Sequence, residues 1–218
     1  MGEMLINNVE NNIFPMLRKI KWRNSELNFN NIGVLLKSLD LIASKEYLER
    51  SQDGSDVSIL KFIKLNNSEL LKELKRDDVE LLWKVCQVPD FRKISNQDHA
   101  GLILKIFDYV RSQGFIPSDW LKIEINRLDS IEGDIDSLSK RLAFIRTWSF
   151  VANIKEWLPD SEYFIDITRS IEDKLSDALH QKLTQRFVDL RRSVLIKKGM
   201  SENFDKNEFE LREDNCLY

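Results

Sequence analysis

Breakers of regular structure are scarce in this chain, with 7 glycines and 4 prolines among 218 residues. Sandwiches, barrels and α/β enzymes built on glycine turns need more of both, so the scarcity favours helices. Cysteine is scarcer still. Cys86 and Cys216 lie far apart and neither belongs to a CxxC pair, which points to a reduced, cytoplasmic chain without a disulfide framework. No apolar run approaches the ~18 residues of a membrane span, and no basic segment precedes an apolar stretch behind Met1, so neither secretion nor membrane insertion is supported. An excess of positive charge is missing too. With 33 Lys and Arg against 36 Asp and Glu the net charge is −3, which excludes a wholesale basic nucleic-acid binder and leaves only a local basic patch to be sought.

What is present reads as a succession of helices. Residues 1–20 form a polar lead-in around Asn7, Asn8, Asn11 and Asn12 that passes into the apolar patch Ile13, Phe14, Leu17 and Ile20. Residues 21–76 carry short helical patterns: an Asn-capped stripe Ile32, Leu35, Leu36, Leu39 and Ile42, a further turn of helix over Ser44–Arg50, and two pieces outlined by Ile59, Leu60, Ile63 and by Leu70, Leu71, Leu74. Residues 77–199 read as a helical domain. Asp77 and Asp78 open a helix through Val79, Leu82, Trp83 and Cys86 that Pro89 stops, and Ser95 with Asp98 caps the next, which Gly114 closes. Ser118 can cap a helix through Trp120, Ile123 and Leu128, and Asp134 can cap the next, with Ile135, Leu138, Leu142, Ile145 and Ala152 on its inner face.

From Ser161 to Lys198 there is neither Gly nor Pro, enough for a helix roughly 57 Å long. Its apolar positions 167, 171, 175, 179, 183 and 187 advance in fours, so the stripe turns about 40° at each step. Such a helix either touches two surfaces along its length or is kinked or overwound. Residues 200–218, with six acids against Lys206 and Arg212, have the composition of a disordered acidic tail. The expectation is an all-α fold, helices only, in an irregular array ending in one long helix.

Catalytic signatures are missing. None of the seven glycines is followed by Lys, so no phosphate-cradling P-loop exists, and GxGxxG, GxSxG and HExxH are absent. The two histidines, His99 and His180, have no Cys or His at metal-ligand spacing and read as structural. Asp129, Glu132, Asp134 and Asp136 lack the order of a calcium loop and sit at a helix start, where acids are favoured anyway. The five tryptophans read as packing residues rather than base-stacking platforms. No metal or other cofactor is expected. One basic stretch remains: six basic residues against Asp189 between 180 and 200, placed around the apolar stripe Leu179, Leu183, Phe187, Leu190 and Val194. Arg186, Arg191, Lys197 and Lys198 are the candidate phosphate contacts, and a snorkelling rim around a buried face is the competing reading.

Several strings in fixed order carry a family resemblance. Leu82-Trp83-Lys84-Val85-Cys86-Gln87-Val88-Pro89-Asp90-Phe91, Gly133-Asp134-Ile135-Asp136 with Leu138 and Arg141, Ile145-Arg146-Thr147-Trp148, Ile171 to His180, and Leu183 to Asp189 resemble bacterial relatives of the mitochondrial degradosome RNA helicase, a DExH helicase of superfamily 2. The resemblance runs from about Trp22 to Lys198 and covers the region that follows the two motor domains in that family. It implies a helical accessory part that packs on the motor and helps enclose the translocating single-stranded RNA, detached here from a split or truncated helicase and either acting with a motor on another chain or surviving as a remnant. Ile13, Phe14, Leu17 and Ile20 then become the candidate motor-docking residues. The sequence departs from the family at Leu190, where relatives carry Arg, and after Gly199. A stand-alone helical interaction module without a helicase role is the alternative.

Phosphoryl transfer needs a phosphate cradle, a metal-holding acid and a charge-stabilising Arg in one cleft, and the cradle is missing from these 218 residues. The purified chain is therefore expected to give no ATP turnover, with or without RNA; RNA-stimulated turnover that persists through further purification would refute this.

Overall fold

The computed structural model describes residues 10–11, 19–42, 44–93 and 95–197, with side chains described as far as Arg192. The fold is all-α in class, with eight helices and two three-residue strands among the described residues. In chain order they are β1 (Ile20–Trp22), α1 (Ile32–Leu39), β2 (Leu48–Arg50), α2 (Ser55–Asn66), α3 (Ser68–Lys72), α4 (Arg76–Cys86), α5 (Asn96–Gln113), α6 (Ser118–Asn126), α7 (Ile135–Ala152) and α8 (Ser161–Lys197), with a 3₁₀ turn at Lys155–Trp157. No helix among the described residues is long and apolar enough to cross a membrane.

The helix starts follow local chemistry. Asn31, Ser95 and Asp134 accept hydrogen bonds from the backbone N–H three residues on, relieving donors that a helix leaves unpaired. Gly114 ends α5 at φ 82°, a left-handed conformation that glycine adopts without steric cost. Asp78 accepts from the Lys75 backbone N–H at the start of α4 and also receives the Arg111 guanidinium at 3.0 Å, which ties α5 to α4.

Two expectations fail for tertiary reasons. Ser44–Arg50 does not form a helical turn: Leu48–Arg50 pairs in parallel with Ile20–Trp22, the Ile20 N–H donating to the Tyr47 carbonyl and the Ser51 N–H to that of Trp22. Long-range pairing overrides propensity over so short a segment. Lys21 and Glu49, side by side in register, add an ion pair at 2.7 Å, and Arg50 binds Asp40 and Asp53. The ribbon also leaves Ile42, placed in the α1 stripe from sequence, beyond the helix end and 83% exposed. In α6 the inward residues are Leu121 and Ile125, while Ile123 points out. Trp120, half-buried, spends its surface on the rings of Tyr109 and Trp148.

The core is one continuous cluster running from Ile32 to Leu175, so residues on both sides of position 76 share it. Its largest fully buried side chain is Trp148 on α7, with Trp120 edge-on at 5.6 Å and Phe144 at 5.5 Å. Trp148→Ala should lower stability by about 3–5 kcal/mol through the cavity it leaves. Ile123→Ala, at an exposed site, should cost no more than about 0.5 kcal/mol. Urea unfolding of both variants checks the contrast.

Candidate nucleic-acid interface

The basic stretch lies on the second half of α8, and the antiparallel partner α7 decides what that half can do. α8 has 37 residues and α7 has 18, about 55 Å against 27 Å, so α8 outruns its partner. In its first half Phe164, Thr168, Ile171 and Leu175 are all buried. Their spacing of four, three and four keeps one face on one neighbour. The same seam continues through Ala178 to Lys182, Arg186 and Asp189, where it becomes charged.

The stripe read from sequence as a single buried face does not stay buried. Ile167 and Leu179 are half-buried, whereas Leu183 is 46% exposed and Phe187 56%. At about 100° per residue, Leu183 and Phe187 sit a quarter-turn or so round the helix from Lys182 and Arg186, away from the α7-facing seam. Of the two possibilities left by the fours-spacing, two different surfaces along one helix is the one observed.

The charged end of the packing seam and the start of α7 enclose an open cleft of about 570 Å³, lined by Asp134, Asp136, Lys182, Arg186 and Asp189 among others. Arg186 therefore shares a solvated cleft with three carboxylates, Asp134 and Asp136 at the start of α7 and Asp189 one turn further along α8. Arg191 lies about 140° further round the helix, its guanidinium over the Phe187 ring at 5.0 Å. Among the described residues neither arginine forms an ion pair. Lys197 closes α8, but its side chain and the whole of Lys198 lie outside the described residues. The four candidate phosphate contacts thus share one helix without sharing one face.

The other candidates are accounted for by structure. Asp134 caps α7, and hydrogen bonds from the Ser137 side chain and backbone hold its carboxyl below the usual range. Asp129 pairs with Lys174 at 3.2 Å, tying the loop before α7 to α8. The carbonyls of Ser130 and Glu132 are gathered by Arg141, a brace that no spacing pattern in the sequence reveals. No three or more His, Cys, Asp or Glu side chains are grouped to hold a metal among the described residues. Trp83, Trp148 and Trp157 are buried, and Arg23 stacks on the Trp83 ring at 5.2 Å. Of the docking candidates, Ile20 is 55% exposed on β1, and Ile13, Phe14 and Leu17 lie outside the described residues.

Comparison of the chain with protein-family models, with curated proteins and with solved structures gives no match in any of the three. The class that the architecture defines is an all-α protein with a projecting, basic-flanked helix.

His99, 4% exposed near the start of α5, carries a pH consequence. Burial pushes its imidazole below the ordinary value, opposed by the Asp90 carboxylate and the Val88 backbone and assisted by Arg92. As pH falls through about 6.5 the unfolded chain takes up a proton that the folded one refuses, so stability drops on acidification. His99→Gln should flatten the stability profile between about pH 7 and 5 relative to the parent. Denaturant unfolding across that range measures it.

Proposed function

We propose that this chain is a non-catalytic accessory region of an ATP-dependent RNA helicase of superfamily 2, packing on a motor outside these 218 residues and touching single-stranded RNA weakly through α8. The observation that carries the reading is where the resemblant strings meet. Thr147 donates its hydroxyl to the Pro89 carbonyl at 3.2 Å, and Arg146 pairs with Glu172 at 2.9 Å, so three strings far apart in sequence brace one another. Side chains that join distant segments are what a shared architecture requires, and their presence together supports a common fold rather than a chance string match. Phosphates would be met by Arg186 and Arg191 with the end of α8, a contact that is electrostatic and blind to sequence.

A second reading, a stand-alone helical interaction module, is favoured by the exposed Leu183, Phe187 and Val188 and by the carboxylates that share the cleft with Arg186. The two part on salt dependence. If about three of the basic residues neutralise phosphates, the logarithm of RNA affinity should fall with the logarithm of salt at a slope near −2, from ~0.7 per phosphate on a single strand. Arg186→Ala/Arg191→Ala should weaken binding and flatten that slope. Equal affinity and equal slope for parent and variant would return both arginines to a solvated rim and leave the interaction module standing.

A further inference from the structure

Near the other end of α7, four elements meet around a second cleft of about 570 Å³. Its walls come from Arg23 after β1, the first residues of α2, Trp83 on α4 with Gln87 at its end, and Phe150 on α7. Fifteen residues separate Phe150 from Ile135 in the α8 cleft, about 22 Å along α7, so the two clefts are distinct. Arg23 sets the chemistry of this one. Its guanidinium donates to Asp56 at 2.9 Å and lies over the Trp83 ring at 5.2 Å. A guanidinium held by a carboxylate and backed by an indole is fixed before any ligand arrives. Gly54 permits the pair, since a Cβ there would stand 2.7 Å from the Asp56 Oδ1. The Thr147 hydroxyl on the Pro89 carbonyl ties the wall behind α4 to α7.

These features choose the ligand. Because Asp56 neutralises Arg23 and the other walls are uncharged, the cleft carries no net charge and an anion gains little there. Phe150 is 39% exposed and offers a flat apolar face. Ser55 and Gln87 are exposed, and neither side chain is hydrogen-bonded among the described residues, so a hydroxyl and an amide remain for a ligand's edge. Flat faces, a hydrogen-bonding edge and no net charge are the complement of a nucleobase, which stacks on aromatic rings and guanidinium planes and is read along its edge. An aliphatic side chain would use the ring and leave the amide idle. We propose that this cleft takes one unstacked base of a single RNA strand, the base lying against Phe150 and the side of the Arg23 guanidinium away from Trp83, with Gln87 and Ser55 at its edge. The source of the base rests on the RNA reading of the chain; the fit of the cleft to a base does not.

Ribonucleosides, which carry no phosphate, test the cleft without engaging the arginines of α8. Titrated into the isotope-labelled full-length chain, at least one of them should shift the Trp83 indole and Gln87 side-chain amide resonances saturably at millimolar concentration. Phe150→Ala and Gln87→Ala, both at exposed sites, should weaken that response, the first by about 5-fold or more, as expected for loss of one base–aromatic stack. A short single-stranded RNA should give the same shifts at lower concentration, because its other contacts hold the base near the cleft. Phe150→Ala should also lower RNA affinity and leave its salt slope unchanged, since stacking releases no counterions. Nucleosides that leave both resonances in place would overturn the proposal whatever α8 does. Equal shifts from N-acetylproline amide would overturn it in favour of a polypeptide ligand, and RNA no tighter than free nucleoside would overturn the assignment to a strand. Nucleoside shifts weakened by Phe150→Ala, beside an RNA affinity and salt slope that Arg186→Ala/Arg191→Ala does not change, would uphold the cleft and sink the α8 reading, so the two failures are told apart.

Discussion

The antiparallel pairing of α7 with α8 is the contact on which the rest of the molecule depends. Leu138, Leu142, Ile145, Trp148 and Val151 of one helix and Phe164, Ile171 and Leu175 of the other are all buried, each side chain worth about 1.5–3 kcal/mol when removed from water. This pair joins the core that also takes in α1, α2, α4 and α5. Polar ties cross at its margins: Arg146 to Glu172, Lys174 to Asp129, and Thr147 to the backbone beyond α4. Remove the pairing and those ties lose their geometry.

The inequality of the two helices turns that packing into a possible function. Where α7 begins, the seam of α8 that had been apolar becomes Lys182, Arg186 and Asp189, and a solvated cleft replaces the core. Charges there remain hydrated, which spares the desolvation cost that burying them would impose. The apolar side chains move to a different side of α8 and into water. A projecting helix that keeps Leu183, Phe187 and Val188 exposed has a surface suited to being covered. The flanking arginines restrict what can cover it to something negatively charged, and RNA and an acidic polypeptide segment both meet that condition.

In the scaffold around this helix, Cys86 is buried with its thiol pKa raised, His99 is buried, and of the acids in the loop before α7, Asp134 caps α7 and Asp129 pairs with Lys174. Buried or hydrogen-bonded groups of this kind hold structure.

The helices from α1 to α5, the Ser95 and Asp134 caps, the Gly114 stop and the length of α8 were legible in the sequence, because propensity, capping and the three-and-four spacing are local properties carried by adjacent residues. The parallel ribbon of β1 and β2 was not, since the two strands are nearly thirty residues apart and either alone is too short to declare itself. Nor could periodicity say which face of α6 or of α8 would be buried. A helical stripe records that apolar side chains share a side, but burial needs a neighbour on that side, and Leu183 and Phe187 lie a quarter-turn round α8 from the side that meets α7. The sequence by itself determined that a long helix exists and that its end is basic; only the tertiary structure decided that Leu183 and Phe187 stay in water, because they lie on a side of α8 that α7 does not meet.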